Sequence, residues 1–195
     1  MKTVLLTSLV ACFGLTLCLG CGSAEPVGDD EELLGSEESG VSVEGHDCWK
    51  MLGGATGREP NGQIPVCCRP TASEKAVTNE VLRILNDHRR ANGRVALLRS
   101  GRLDSAMTGH LLHQRLHPFN SHYAPEAAVN VPWLRGPLCN RSAGGENLAW
   151  GHPNAAAVMN AWKNSGGHNQ NMLEPSYRWV GLGYVNGTWG QIFGQ

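Results

Sequence analysis

Three side chains in the second half of the chain carry groups that bind metals or move protons: His122, Glu146 and His168. Each lies at a loop or at the junction of two predicted elements, in the segments FNSH, GGENLAW and SGGHNQNML. Two neutral imidazoles and one carboxylate form a common zinc set that leaves a fourth position open for water. These residue types therefore predict a cleft that can take up zinc or another divalent cation. Alternatively, they form a hydrogen-bonded cluster that only fastens the loops.

A second group of histidines lies in the segment GHLLHQRLH, where His110, His113 and His117 recur at i, i+3 and i+7. This spacing places them on one face of a helix. A metal site would need a further ligand, because imidazoles one turn apart do not close a coordination shell. His110 also falls on the apolar stripe. We therefore expect a partly buried histidine with two amphipathic neighbours.

The cysteines favour an exported protein. Of seven cysteines, Cys12 and Cys18 fall in the apolar N-terminal segment and Cys21 at its end. The remaining four suffice for two disulfides in an oxidising compartment: Cys48, Cys67, Cys68 and Cys139. Cys139 as a nucleophile is the alternative, but membership of an even set favours a structural bond.

The order of these four cysteines restricts their pairing. Cys67 and Cys68 are adjacent, and a bond between them would have poor Cα geometry. We expect each to pair outward, one with Cys48 and the other with Cys139. The longer bridge would close about 70 residues and stabilise the fold by roughly 4 kcal/mol.

The elements that must position these groups are three helices and a terminal hairpin. A Thr71-x-x-Glu74 capping box, Ser100 and Asn154 begin the helices. They end at Asn92-Gly93, before Pro118 and at Gly166-Gly167, so that His168 would turn back over the cleft. Asn186-Gly187 joins two apolar strands. Residues 45–70 are rich in Gly and Pro and predict a stapled loop region without its own core.

The N-terminus predicts export. Residues 1–20 have a lysine, an apolar run and small residues at the end, as in a signal peptide. The run is barely long enough for a membrane span. Leu19-Gly20-Cys21 resembles a bacterial lipoprotein box, which predicts a membrane anchor through lipidated Cys21. The predicted domains are 1–20 signal peptide, 21–46 acidic disordered linker, 47–72 stapled Cys/Gly/Pro-rich segment and 73–195 folded domain.

Charge is distributed unevenly along the chain. The total of 195 residues has a formal net charge of −1, which argues against a nucleic-acid binder. Residues 22–46 contain eight acids and no Lys or Arg, whereas the rest of the mature chain holds fifteen basic residues against nine acidic ones. The sequence therefore predicts a basic domain joined to an acidic linker.

Six sequence motifs occur along the chain in the following order: NDHRRANG, FNSH, GGENLAWG, AWKNSGGHNQNML, VGLGYV and WGQIFG. Their order and spacing resemble the CAP superfamily, also called SCP-like, and especially its bacterial extracellular members. The group includes cysteine-rich secretory proteins, insect antigens and plant pathogenesis-related proteins. The resemblance implies an α+β fold, a three-layer α-β-α sandwich around a surface cleft.

The resemblance also implies a set of cleft residues. The family cleft carries two histidines and two acids, and in some members it binds zinc or another divalent cation. By motif, the histidines match His122 and His168 and the first acid matches Glu146. Ser165 stands where eukaryotic members have the second acid, which predicts a weakly bound metal and a serine on the cleft rim. Asn147 would support the loop that presents Glu146.

Two functions follow from the sequence. The first is an exported or surface-anchored module, extracellular or in the cell envelope, which binds a lipid, glycan or protein through the cleft. The second is a metal-dependent hydrolase or protease with Glu146 as general base. The sequence offers no evident oxyanion hole or positioned nucleophile, which favours binding over catalysis.

Overall fold

The computed structural model describes residues 40–54, 62–117 and 119–195. The predicted signal peptide, the lipidated Cys21 and most of the acidic linker lie outside the described residues. Along the described chain, the elements come in the following order. They are β1 Val41–Val43, β2 His46–Gly53, β3 Gln63–Cys68, α1 Ala72–Ala91, β4 Leu98–Arg99, α2 Gly101–Leu116, α3 Pro132–Leu138, β5 Gly145–Trp150, α4 Ala155–Lys163, α5 Gly166–Leu173, β6 Trp179–Val185 and β7 Thr188–Gly194.

A four-stranded sheet forms the centre of the domain, with strand order β4-β6-β7-β5. The hairpin β6–β7 turns at Asn186 and Gly187, whose φ angles of 46° and 84° are those a tight hairpin turn requires. One face of the sheet packs on α2, and the other packs on α1, α4 and α5. These three layers confirm the predicted α-β-α sandwich.

A second sheet covers the outer side of α2, and the sequence did not predict it. Strands β1, β2 and β3 pair in antiparallel order, and β3 packs against α2. The expectation of a loop region without a core was therefore wrong, as Ile64 and Val66 are buried. Pro65 favoured the prediction of a loop, but it lies inside β3. This strand accommodates a proline because it is at the edge of the sheet. The predicted linker also extends too far, since β1 begins at Val41.

Helix α2 is buried on nearly every side because it lies between the two sheets. All residues from Gly101 to Gln114 are buried. Two glycines allow this close packing: a Cβ atom at Gly109 would collide with the backbone of Val66, and one at Gly181 with Leu103. His110 and His113 are consequently 2% and 1% exposed, which is more burial than the predicted amphipathic helix implied.

The helix boundaries follow the predicted caps. Thr71 caps α1, its side chain accepts from the Glu74 backbone at 3.3 Å, and Glu74 accepts from the Thr71 backbone at 2.8 Å. Ser100 caps α2, its side chain accepting from the Leu103 backbone at 3.3 Å. The third predicted helix ends at Lys163, but the glycine pair Gly166-Gly167 then opens α5 instead of leading into a loop. His168 therefore lies in the first turn of a helix, contrary to expectation.

Two disulfides join these layers as predicted from the cysteine order. Cys48 and Cys68 link β2 to β3, and Cys67 and Cys139 link β3 to the end of α3 across a sequence separation of 72. Each member of the adjacent pair bonds outward. A further contact joins the small sheet to α1, because His46 bonds Glu74 at 2.9 Å.

Candidate functional site

The cleft lies beside the edge strand β5, between the loop after α2 and helix α3. It encloses about 280 Å³. Its lining residues are His122, Tyr123, Val131, Pro132, Trp133, Gly144, Gly145, Glu146 and Asn171. Of the sequence-predicted residues, His122 and Glu146 therefore line it, whereas Ser165 and His168 are not part of the lining.

Glu146 lies in β5, opposite Ile192 of β7, and its side chain is 1% exposed. Both carboxylate oxygens have partners. Oε1 accepts from His122 Nδ1 at 2.9 Å, and Oε2 forms an ion pair with the guanidinium of Arg135. A buried carboxylate needs such compensation, because taking a charge out of water without partners costs several kcal/mol.

The charge state of Glu146 follows from these partners. Burial alone would raise the pKa of the Glu146 carboxyl, but interactions with His110, Arg135 and His122 outweigh it and hold that pKa below its usual range. His110 is itself neutral, since burial lowers its pKa to about 3. Arg135 is therefore the permanent cation beside Glu146, and the carboxylate is ionised at neutral pH.

Arg135 is the cleft residue that the sequence analysis missed. It lies in α3 and is buried. Its Nη1 donates to the carbonyl of Val129 at 2.9 Å and to the carbonyls of His122 and Asn130 at 3.2 and 3.3 Å. One guanidinium thus holds both the cleft acid and the loop that presents His122. A sequence signal existed, since a buried acid requires a nearby cation.

His122 presents one ring nitrogen to the cleft. An ionised Glu146 can only accept hydrogen bonds, so the proton between the two groups belongs to His122 Nδ1. In the neutral imidazole, Nε2 is then the acceptor. The His122 side chain is 42% exposed, whereas Glu146 is sealed. His122, and not Glu146, is therefore the group that a ligand can reach.

His168 is near His122 but bonds neither it nor Glu146 in the described residues. Burial and repulsion from His122 both lower the pKa of His168. Its backbone carbonyl accepts from Asn147 Nδ2 at 3.1 Å, and Asn147 Oδ1 accepts from Asn171 at 3.0 Å. Asn171 also donates to the Glu146 carbonyl at 3.1 Å. The predicted structural role of Asn147 thus takes the form of joining α5 to β5.

The donor set does not fit a divalent cation. Both oxygens of Glu146 are engaged, and a guanidinium occupies the side from which a cation would be attracted. Across residues 40–54, 62–117 and 119–195, no three His, Cys, Asp or Glu side chains are arranged to hold a metal. The structure therefore does not assemble His122, Glu146 and His168 as three ligands, and the same holds for His110, His113 and His117.

The α2 histidines instead support the loop that carries His122. His110 Nε2 and Gln114 Nε2 lie 3.2 and 3.3 Å from the carbonyl of Ser121. His113 Nε2 lies 3.2 Å from Glu126, and both side chains are buried. These contacts hold the loop that carries His122 against α2.

This topology, with a His–Glu pair in a cleft beside the edge strand, is the arrangement of one family of domains. The family model described as cysteine-rich secretory protein family, CAP, matches residues 82–193, and the chain belongs to this family.

Individual relatives place the chain among bacterial members. An uncharacterized protein of Bacillus subtilis (strain 168), YkwD, is 26% identical over 63% of this chain and 48% of its own length. An extracellular protein of Bacillus anthracis containing an SCP domain has a TM-score of 0.59 at 21% identity, over 65% of this chain and 44% of that one. An outer surface protein of Borrelia burgdorferi has a TM-score of 0.56 at 17% identity, over 62% of this chain and 93% of that one. The match thus spans about half the length of both Bacillus proteins.

Within the described residues, no helix has both the length and the apolar character that a bilayer crossing requires.

Proposed function

We propose that this protein is a binding module of the cell envelope, which takes its ligand in the cleft between His122, Tyr123 and Trp133 and does so without a metal. One observation carries the proposal. The acid of the cleft is sealed by Arg135, and the groups left facing outward are an imidazole and aromatic rings. Such a site is equipped to contact a ligand.

The alternative function, a hydrolase with Glu146 as general base, requires two properties that Glu146 does not have. A general base must reach the proton that it removes, and its pKa should lie near the working pH. The Glu146 side chain is 1% exposed, and its interactions with Arg135 and His122 keep its pKa below the usual range. The geometry of the cleft therefore supports binding better than hydrolysis.

The proposed location rests on the N-terminal sequence and on the relatives. A lipid-modified Cys21 would anchor the chain, and the acidic segment would separate the basic domain from an anionic membrane. The two structural relatives, an extracellular protein and an outer surface protein, support an envelope location. Detergent phase partitioning of the wild type and Cys21→Ser tests the anchor. Recovery of both proteins in the aqueous phase would contradict it.

The cleft is tested with isotope-labelled protein and three envelope fractions: lipids, soluble glycans and peptides. We expect one fraction to shift backbone NMR signals around His122, Tyr123 and Trp133, and a Tyr123→Ala/Trp133→Ala variant to lose these shifts. Shifts that map elsewhere would contradict the proposal. In parallel, a peptide and ester library is incubated with wild type and Glu146→Gln, with and without zinc. Turnover above the variant's level would favour the hydrolase.

A further inference from the structure

The rim of the cleft exposes two large aromatic side chains. Tyr123 is 64% exposed and Trp133 is 56% exposed, and both line the cavity. Folding usually buries such rings, since they contribute more apolar area than any other side chains. Their location beside His122 concentrates exposed aromatic surface at one polar cavity. This pairing of flat rings with a hydrogen-bonding group indicates a specific ligand.

The cleft offers that ligand no accessible side chain with a permanent charge. Among the lining residues, only Glu146 carries a permanent charge, and Arg135 and His122 occupy both of its oxygens. The other polar groups of the lining carry no permanent charge: the His122 imidazole, the Tyr123 hydroxyl, the Trp133 indole N–H and the Asn171 amide. An anionic or cationic ligand would lose its hydration without gaining a counter-charge. Charge complementarity therefore favours an uncharged ligand.

The hydrogen-bonding groups of the cleft restrict the chemical class of the ligand further. His122 Nδ1 donates to Glu146, so in the neutral imidazole Nε2 is an acceptor for a ligand O–H or N–H. A hydrocarbon chain would leave this nitrogen without a partner. A sugar ring suits both this nitrogen and the two exposed aromatic rings. Its hydroxyl groups bond neutral acceptors, and its C–H face packs on an aromatic ring.

We propose that the cleft binds a neutral oligosaccharide, with Tyr123 and Trp133 packing on sugar rings and His122 Nε2 accepting from a sugar hydroxyl. This inference rests on the proposed binding function and names its ligand class. Trp133 and Tyr123 provide contact area, and the Arg135–Glu146 pair holds His122 in the accepting tautomer.

The test is isothermal titration of the full exported chain with four neutral hexasaccharides: chitohexaose, cellohexaose, maltohexaose and laminarihexaose. We expect at least one to bind. Trp133→Ala should weaken that binding at least about tenfold, which corresponds to about 1.4 kcal/mol. The matched control is Trp150→Ala, because Trp150 is 39% exposed at the other end of β5 and outside the cleft lining. This control should bind as the wild type does, and thermal unfolding of both variants confirms that they are folded.

Two further arms separate the glycan assignment from the binding function. The same proteins are titrated with phosphatidylcholine vesicles and with an uncharged peptide library. Binding of vesicles or peptides that is lost in Trp133→Ala, without binding of any hexasaccharide, would overturn the glycan assignment and leave the binding function standing. Glycan binding that Trp133→Ala and Trp150→Ala weaken equally would also overturn the assignment. Failure of every probe to engage the cleft would overturn both.

Discussion

Replacement of Arg135 by methionine should destabilise the protein strongly, and more at neutral than at acidic pH. The substitution keeps most of the side-chain volume but removes the guanidinium that pairs with Glu146. It also removes the donor to the carbonyls of His122, Val129 and Asn130. Loss of one partner of a buried ion pair costs about 3–5 kcal/mol, because the other charge remains buried and unpaired. That is a large part of the roughly 5–15 kcal/mol that stabilises a typical domain.

The pH dependence follows from Glu146. In the wild type its folded pKa is lowered, so it contributes stability above its unfolded pKa of about 4.3, which is lost as the pH falls through the folded value. Without Arg135, burial raises the folded pKa of Glu146 above the unfolded one, so its cost is relieved as the pH falls. Between pH 7 and pH 4.5 only the second effect acts, and it makes the difference between the proteins shrink; the wild-type contribution is lost only below the unfolded pKa. His110 stays neutral over this range, because burial lowers its pKa to about 3.

The assay is urea unfolding of the oxidised proteins, followed by tryptophan fluorescence at pH 7, 5.5 and 4.5. Arg83→Met is the matched control, because Arg83 is 53% exposed and pairs with Glu80 at the surface. It should cost less than about 1 kcal/mol. Adding Glu146→Gln to Arg135→Met should restore roughly 1–3 kcal/mol, since the stranded charge is gone. The reasoning is refuted if Arg135→Met costs no more than the control, or if its cost does not shrink at low pH.

Three further predictions concern the small sheet, the long disulfide and the metal. In urea unfolding, His46→Gln should cost more stability at pH 6 than at pH 8. The hydrogen bond to Glu74 raises the pKa of His46, and the stability that it contributes is lost as the pH rises through the folded pKa. Equal costs at the two pH values would contradict this. Cys67→Ser/Cys139→Ser should lose about 4 kcal/mol by the same measurement, from a loop of 72 residues; a loss below about 1 kcal/mol would refute the loop-entropy argument. Zinc titration calorimetry should give equal heats for wild type and His122→Ala, and a heat found in the wild type alone would restore the metal site.

Several features of the fold are set by interactions between residues that are close in the chain. The capping box at Thr71 and Glu74 and the hairpin turn at Asn186-Gly187 appear as predicted. The outward pairing of the adjacent cysteines was also predictable, because covalent geometry disfavours the bond between them. In each case the deciding interaction joins residues within a few positions, or is limited by bond geometry.

Predictions from local sequence pattern were wrong where packing against a neighbouring layer changed the environment of a segment. The segment with Pro65 was predicted to be a loop, but β2 pairs with it and α2 packs over it. The glycine pair before His168 was predicted to end a helix, but α5 begins there, held to β5 through Asn147 and Asn171. Packing and hydrogen bonds between distant segments outweighed the weak preferences of Pro and Gly.

The candidate site shows the same division. Sequence by itself, through its motifs and the resemblance they carry, determined that His122 and Glu146 belong to one cleft. It could not determine their chemistry, because that depends on which cation lies beside the acid. Arg135 is 11 positions away from Glu146 in the chain, in a short helix that no periodicity marked. Only the packing of α3 against β5 buries the pair, and burial is what turns a weak surface attraction into a strong ion pair.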